Sequence, residues 1–256
     1  MAAGIALFAL GRYYIKRQEP PEEDEYSRLA YWRTMLTNAA QSGNLSMFQL
    51  MLRNVTPEDP IVPNALFWAG RYGRIGFFRW WKDSEMPLKT QTCPNLFDAP
   101  LLAAVQYGHK DLAAFLAGGG ANVNCGKGKD WTPLAHAVQE KHTEIVRILL
   151  EAGADANTPI TASTPKMQGF IVFPDGRMTP SPPTFKTEPR AGETPLMLAA
   201  RNSDLMTARL LLEKGAKANY RSPKGVSAFD VAQEKDDAPF LALLKQGRLP
   251  QGDKRH

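Results

Sequence analysis

The sequence predicts an all-α solenoid of about six stacked helix pairs, and two observations support that prediction. Equivalent prolines recur at a fixed spacing: Pro100 to Pro133 is 33 residues, and Pro133 to Pro195 is 62 residues, or 33 plus 29. A period between about 20 and 50 residues is typical of stacked repeats. The composition, with 43% hydrophobic and 22% charged residues, is that of a folded protein rather than a disordered chain.

Three stretches of the chain align with one another without gaps: 99–124, 132–157 and 194–219. In two of them a threonine, Thr132 or Thr194, precedes a proline, so its hydroxyl is expected to cap the first helix. A turn and a second amphipathic helix follow, ending at Gly153 or Gly215, where a left-handed residue is needed. An asparagine then leads into each loop: Asn124, Asn157 and Asn219. Such a pair cannot bury its apolar face alone, so the pairs must stack.

These stretches, such as "TPLAHAVQEKHTEIVRILLEAGADAN" at 132–157, resemble the ankyrin repeat. The pattern of that family includes T-P-L-H-x-A-A, a G-H turn and a second helix ending in G-A-x-x-N. The resemblance is close over 99–157 and 192–221, and weaker copies lie at 35–52, 64–81 and 225–247. The histidine of the family's motif is replaced here by Leu102, Ala135, Met197 and Asp230. The repeat array is therefore expected to cover residues 35–249.

The resemblance implies that the chain binds proteins and is not an enzyme. Ankyrin-like arrays expose finger loops and short first helices along one concave side, so large side chains in those loops are candidates for partner contact. The loop before 132–157 offers Lys129 and Trp131, and the loop before the last unit offers Tyr220 and Arg221. The alternative is that Trp131 and Tyr220 pack against a neighbouring finger.

An insertion at 160–190 interrupts the repeat in the loop between two helix pairs. Four consecutive apolar β-formers, Phe170 to Phe173, precede a Pro-Asp-Gly turn sequence, which predicts an elongated β-hairpin that projects as a finger. Pro- and Thr-rich segments flank it. Its candidates for partner contact are Phe170, Ile171, Phe173 and Arg177. Because an exposed apolar strand is an aggregation hazard, it either folds back onto the array or is buried by a partner, with disorder as the third possibility.

The amino-terminal segment 1–17 is apolar and basic, and the first acidic residue is Glu19. As a helix rising about 1.5 Å per residue it falls short of a hydrocarbon core roughly 30 Å thick. Spanning would require a snorkelling Arg12 or sheltering partner helices. The segment is predicted to be a membrane anchor, with a helix packed on the array or a removed peptide as alternatives. Residues 18–34 are predicted to form an acidic linker and a lead-in helix.

The groups that could carry chemistry are few. The net charge of +5 is dispersed and gives only weak support for nucleic-acid binding. The glycine-rich stretch 118–130 lacks the first glycine and the Ser or Thr of a phosphate loop. His109 is predicted to be structural, His136 to be a satisfied core imidazole and His142 to be solvated on a turn. Since no zinc-like spacing exists either, no catalytic residue, cofactor, metal or small-molecule substrate is predicted.

The aromatic stretch 67–83 has two interpretations. Its aromatic side chains either fill the junction with the neighbouring unit or, together with Arg71, Arg74 and Arg79, form a face that docks a partner. Binding of nucleic acid or anionic lipid by this stretch is therefore one functional hypothesis.

The combined features favour a non-catalytic interaction scaffold that is an accessory subunit of a membrane-associated assembly. Its array would lie on the positive-inside face of a mitochondrial or bacterial inner membrane. The other alternative is a soluble cytoplasmic adaptor that docks through its Pro-rich finger.

Overall fold

The computed structural model describes residues 25–54, 61–84, 98–125, 131–160, 170–172, 178–180 and 192–247. The predicted apolar segment 1–17 and the first part of the acidic linker lie outside these described residues. Within them the fold is built from helix pairs, which confirms the all-α prediction.

The described residues contain six helix pairs. The first three are α1 Glu25–Ser42 with α2 Leu45–Met51, α3 Ile61–Arg71 with α4 Ile75–Asp83, and α5 Asp98–Gln106 with α6 Lys110–Gly118. A short 3-10 helix, Leu52–Asn54, follows α2. The last three are α7 Pro133–Gln139 with α8 Thr143–Glu151, α9 Pro195–Asn202 with α10 Leu205–Glu213, and α11 Ala228–Glu234 with α12 Ala238–Gly247.

The helices form two layers. The first helices of successive pairs contact one another in order from α1 to α11, and we call them the first-helix layer. The second helices stack beside them from α4 to α12. Several alanines of the first helices, such as Ala69, Ala104 and Ala137, are fully buried. The core lies between the layers and continues along the array because each pair contributes apolar side chains to both of its neighbours.

Aromatic side chains fill the junction between the first two pairs. Phe77, Phe78 and Trp81 are buried, and the Phe77 ring packs edge-on against Phe48 with ring centroids 4.9 Å apart. Tyr72, in contrast, is 45% exposed. The packing interpretation of the aromatic stretch is therefore confirmed for the residues on α4, while Tyr72 remains on the surface.

The turn inside each helix pair leaves one helix carbonyl without a hydrogen-bond partner. A side chain of the next pair supplies that partner. In the second pair, Gly73 has φ +66°, the Gly73 amide donates to Gly70 O and the Arg74 amide donates to Ala69 O. This hydrogen-bonding pattern is a Schellman motif, which leaves the carbonyl of Arg71 unsatisfied. Nε2 of His109, from the third pair, lies 2.7 Å from that oxygen.

The same carbonyl, two residues before the turn residue, is contacted at all five interfaces between the six described pairs. The other contacts are Arg74 to Gln41 O, His142 to Gln106 O, Asn202 to Gln139 O and Lys235 to Arg201 O. Asn202 is shared between two carbonyls, because its Nδ2 is 3.3 Å from Gln139 O and 2.8 Å from Val138 O. The structural role predicted for His109 is confirmed. The prediction that His142 is solvated was wrong, because its Nε2 lies 3.4 Å from the Gln106 carbonyl.

The residue type at the turn correlates with the position, before or after the next turn, of the residue that supplies the donor. A Cβ on Gly73 would lie 2.7 Å from the His109 ring, which leaves no room for a side chain. Where the turn residue carries a side chain, as at Lys141 and Ser203, the donor comes instead from the residue before the next turn, Asn202 or Lys235. A glycine is thus required where the donor packs directly over the turn.

The helix caps follow the sequence in part. The Thr132 hydroxyl accepts a hydrogen bond from the amide of Ala135, as predicted. The Thr194 hydroxyl makes no capping bond, so the prediction for that residue was wrong; the Met197 amide donates to the Thr194 backbone carbonyl instead. Asp230, one of the residues in place of the family's histidine, accepts from the amide and hydroxyl of Ser227 in a capping box.

At the opposite ends of the helices, asparagine side chains join successive loops. Asn124 donates to Gly153 O and accepts from the amide of Asp155. Asn157, 33 residues further on, makes the same two bonds, donating to Gly215 O and accepting from the amide of Lys217, and these partners lie 62 residues after those of Asn124. The insertion therefore leaves the contact between the flanking pairs unchanged.

We predict that Gly73→Ala destabilises the protein by about 1–3 kcal/mol, since alanine is strained at positive φ and its methyl group would overlap the His109 ring. Gly76→Ala is the matched control: this exposed helical residue has open space at its Cβ position, and the change should be neutral or stabilising by up to about 1 kcal/mol. Urea unfolding followed by circular dichroism measures both. Equal midpoints for the two variants would contradict the proposed close packing.

Candidate functional site

The two ends of the insertion meet at a hydrogen-bonded neck. The Ile160 amide donates to Glu193 O over 2.9 Å, and the Gly192 amide donates to Ile160 O over 2.6 Å. Ile160 is 1% exposed, so its side chain anchors the start of the insertion in the core. Residues 161–191 therefore leave and re-enter the array at one point, which explains why the helix stack tolerates them.

An ion pair with a buried carboxylate fixes Glu193, the residue at which the neck leads back into the array. The Glu193 carboxylate is almost fully buried and accepts hydrogen bonds from Nε and Nη2 of Arg201, with N–O distances from 2.8 to 3.2 Å. These hydrogen bonds raise the pKa of the Arg201 guanidinium above its ordinary value. A bidentate arginine–carboxylate pair of this kind holds both groups in a defined geometry.

Part of the insertion forms a two-stranded ribbon. Strand β1, Phe170–Val172, pairs antiparallel with β2, Met178–Pro180, in the register Phe170 to Pro180 and Val172 to Met178. This places the backbones of the predicted contact residues Phe170 and Ile171 in β1. The other predicted residues of the insertion, Phe173 and Arg177, lie outside the described residues, as does Lys129 in its separate loop.

The neck lies beside the loop that contains the remaining predicted contacts. A Cβ on Gly192 would lie 2.3 Å from Cδ of Pro223, so the loop at 220–226 packs directly against the neck. Arg221 is exposed, and its Nη1 donates to Gly225 O and to the Asp230 carboxylate. Tyr220 is half-buried and packs against the core. The structure thus brings Arg221 and the base of the insertion to one side of the array.

Trp131 lies inside the array rather than on a contact surface. It is 2% exposed, and its ring centroid is 5.1 Å from that of His136. His136 is buried, as predicted, but its Nδ1 has no hydrogen-bond partner among the described residues, so it is not a satisfied imidazole. Burial lowers the pKa of His136 to about 4 and keeps the ring neutral at physiological pH.

The three arginines of the aromatic stretch are dispersed. Arg71 lies at the end of α3 beside aromatic rings, whereas the Arg74 guanidinium donates to Gln41 O in the contact between pairs. Arg79 is exposed on α4, in the second-helix layer. The structure does not bring these three side chains into one basic patch.

The described residues offer little reactive chemistry. Burial, followed by the nearby Asp98 carboxylate, raises the pKa of the Cys125 thiol to about 12, so the thiol remains protonated and weakly nucleophilic. Among the described residues, no group of three or more His, Cys, Asp or Glu side chains is placed to hold a metal ion. In the same part of the chain, no helix has the length and apolarity needed to cross a membrane.

Sequence reasoning missed Ile160, Gly192 and Glu193. Glu193 stands immediately before Thr194, as Trp131 stands before Thr132, so the two residues are equivalent in the repeat, and the structure buries both. No local sequence pattern indicates that the backbone of Ile160 pairs with those of Gly192 and Glu193 across the insertion.

The helix pairs define the class of the protein as a repeat scaffold. A family model described as ankyrin repeats in three copies matches residues 36–160, and a single ankyrin repeat model matches residues 191–223. The chain belongs to the ankyrin repeat family. Ankyrin repeats are protein–protein interaction modules, and the stretch between the two matches corresponds to the insertion.

Two known proteins are similar to more than half of the chain. The mitochondrial disaggregase of Bos taurus is 28% identical over 187 residues, which cover 70% of this chain and 28% of that protein. The ankyrin repeat and SOCS box protein 11 of Homo sapiens is 26% identical over 149 residues, which cover 58% of this chain and 37% of that protein. The chain therefore spans 28% of the length of the first relative and 37% of the length of the second.

We predict that stability falls as the pH drops from about 6.5 to about 4. Because the folded pKa of His136 lies below its ordinary value, the unfolded chain binds the proton more readily in this window, and the effect is complete below pH 4. The contribution is on the order of 3 kcal/mol. His136→Leu should flatten this part of the profile in urea titrations at successive pH values; an unchanged slope would contradict the assignment.

Proposed function

We propose that the chain is a non-catalytic scaffold that binds its protein partner through the insertion, residues 161–191, together with the adjoining loop at 220–226. The neck is the observation that supports this proposal most directly. Two backbone hydrogen bonds and the Glu193–Arg201 ion pair hold the two ends of the insertion together before a partner binds. Preorganisation of these ends lowers the entropic cost of association.

The composition of this surface suits a protein interface. The insertion contributes Phe170, Ile171 and Phe173, whose apolar and aromatic side chains need cover, and it also contributes the cation Arg177. The adjoining loop adds the exposed Arg221, held in place by its bond to Asp230. Trp131 is left out of the proposed interface because it is buried.

We also propose that residues 1–17 attach the scaffold to a membrane as an accessory subunit of a larger assembly. The apolar, acid-free character of this segment supports the proposal, and its basic residues favour the positive-inside face. The similarity to a protein named a mitochondrial disaggregase favours a mitochondrial compartment over a bacterial inner membrane. A soluble adaptor remains the alternative function.

Replacement of residues 161–189 by a short Gly-Ser linker tests the partner surface. Purification of the tagged full chain from gently solubilised source membranes should yield a stoichiometric partner that is missing with the variant. A polar triple substitution of Phe170, Ile171 and Phe173 should then weaken the purified complex at least about tenfold, as expected of interface hot spots.

The matched control is Met206→Ala on α10, which removes an exposed apolar side chain away from the neck. Circular dichroism establishes that each variant is folded. Recovery of the same partner with the full chain and the folded linker variant would make the insertion architectural and refute its docking role.

Deletion of residues 1–17 tests the anchor. The full chain should remain in the membrane pellet after an alkaline carbonate wash, whereas the truncated chain should appear in the soluble fraction with the same helical circular dichroism. Release of the intact chain by a low-salt wash would contradict the anchor and favour the soluble adaptor.

A further inference from the structure

An arginine that has no acidic partner among the described residues lies at the turn end of the first-helix layer, away from the neck of the insertion. The Arg71 Cζ atom is 5.0 Å from the ring centroid of Trp68 on the same helix and 4.6 Å from that of Tyr107 in the next pair. Both distances are within the range of cation–π interactions. Tyr72 stacks on Trp68 with centroids 6.1 Å apart. These four residues are named the Arg71 cluster.

Contacts within the array hold the cluster in position. The Arg71 carbonyl is bound to the His109 side chain, so the residue that carries the guanidinium is fixed through its backbone. Trp68 is fixed between Tyr72 and an edge contact to Phe67, at a centroid distance of 5.9 Å. An incoming group would therefore meet an ordered cation, which lowers the entropic cost of binding.

Comparison with the fifth helix pair shows what the Arg71 cluster lacks. Arg201 stands at the same position, two residues before its turn residue, and its guanidinium holds the Glu193 carboxylate. The corresponding residue of the second pair, eight positions before Arg71, is Pro63, which has no carboxylate. Within the described part of the chain, the Arg71 guanidinium has no ion pair or hydrogen bond. The arginine at this helix position therefore pairs with an acid of the array in the fifth pair, whereas in the second pair it has no acidic partner among the described residues.

The residues just before the turns differ in the same way. In the fifth and sixth pairs these are Asn202 and Lys235, whose side chains donate to carbonyls of the preceding pair. In the second and third pairs they are Tyr72 and Tyr107, which are 45% and 41% exposed. The Arg71 guanidinium thus contacts the half-buried Trp68 ring and the exposed Tyr107 ring, and the exposed Tyr72 ring stacks on Trp68. Arginine and exposed aromatic side chains together are enriched in protein interfaces.

The charges around the cluster favour a single carboxylate over a polyanion. The Arg74 guanidinium is occupied by Gln41 O, and Arg79 lies on the second-helix layer. Nucleic acid and anionic membranes require several cations in one surface to bind well.

We propose that the Arg71 cluster binds an acidic peptide segment of a protein partner. One Asp or Glu carboxylate of that segment pairs with the Arg71 guanidinium, and neighbouring apolar or proline side chains lie on Tyr72 and Tyr107. Arg71 is at the carboxyl end of α3, whereas the insertion joins the array at the amino end of α9. The site is therefore separate from the surface proposed for the insertion, and either can fail without the other.

The test is selection of a phage library of short random linear peptides on the immobilised full chain. Fluorescence polarisation then gives the affinity of enriched peptides for the wild type, Arg71→Gln, Tyr107→Ala and the charge-matched control Arg79→Gln. Enriched peptides should share an acidic residue. Arg71→Gln should weaken binding about 10- to 100-fold, as expected for loss of a charge-assisted hydrogen bond, whereas Arg79→Gln should leave it unchanged.

Replacement of the shared acidic residue in the peptide by its amide should weaken wild-type binding by the same factor and have no effect on the Arg71→Gln variant. The comparison of the acid and amide peptides on the wild-type chain does not depend on whether any variant folds. The proposal is overturned if selection yields no binder, if the binders share no acid, or if the peptide amide binds the wild type as well as the acid does. Loss of binding to single-stranded DNA or phosphatidylserine vesicles in Arg71→Gln, with peptide binding intact, would also overturn it.

Discussion

Stacking of this array depends on one backbone group, the carbonyl two residues before each turn. The turn satisfies the two carbonyls that precede it but leaves this one without an intrahelical partner. Water can satisfy this carbonyl in an isolated pair, but where the next pair packs over it and excludes water, the lack of a donor would cost roughly 1–3 kcal/mol. Five side chains complete it at successive interfaces, namely Arg74, His109, His142, Asn202 and Lys235. The donors differ in residue type because the carbonyl requires only an N–H group that can reach it.

Contacts at both ends of the helices make each interface local. Asparagines join the loops at one end, as the donors join the turns at the other, so each pair is aligned by its immediate neighbours alone. An insertion between two pairs then disturbs nothing provided that its ends meet. The neck between Ile160 and Gly192 meets that condition. The array thus keeps its register while it carries a segment with another role.

The same repeat position serves stability in one pair and is open for recognition in another. Arg201 pairs with a buried carboxylate that holds the neck, whereas Arg71 has aromatic neighbours and no acidic partner in the part of the chain that the structure describes. The residues just before the turns bind carbonyls in the fifth and sixth pairs and are tyrosines in the second and third. Surface for partners therefore arises where the repeat's own polar contacts have been replaced.

The sequence by itself determined the helix pairs, their number, the left-handed glycines and the place of the insertion, because each depends on local periodicity or backbone conformation. It misassigned His142 and the Thr194 hydroxyl, because whether those groups find a partner depends on residues distant in the chain or on competing backbone bonds. Only the tertiary structure decided that Trp131 is buried, that Glu193 pairs with Arg201 and that Arg71 packs against the Tyr107 ring. The physical reason is that satisfaction of a polar group is a property of its three-dimensional neighbours, whereas the repeat pattern specifies only which positions become neighbours.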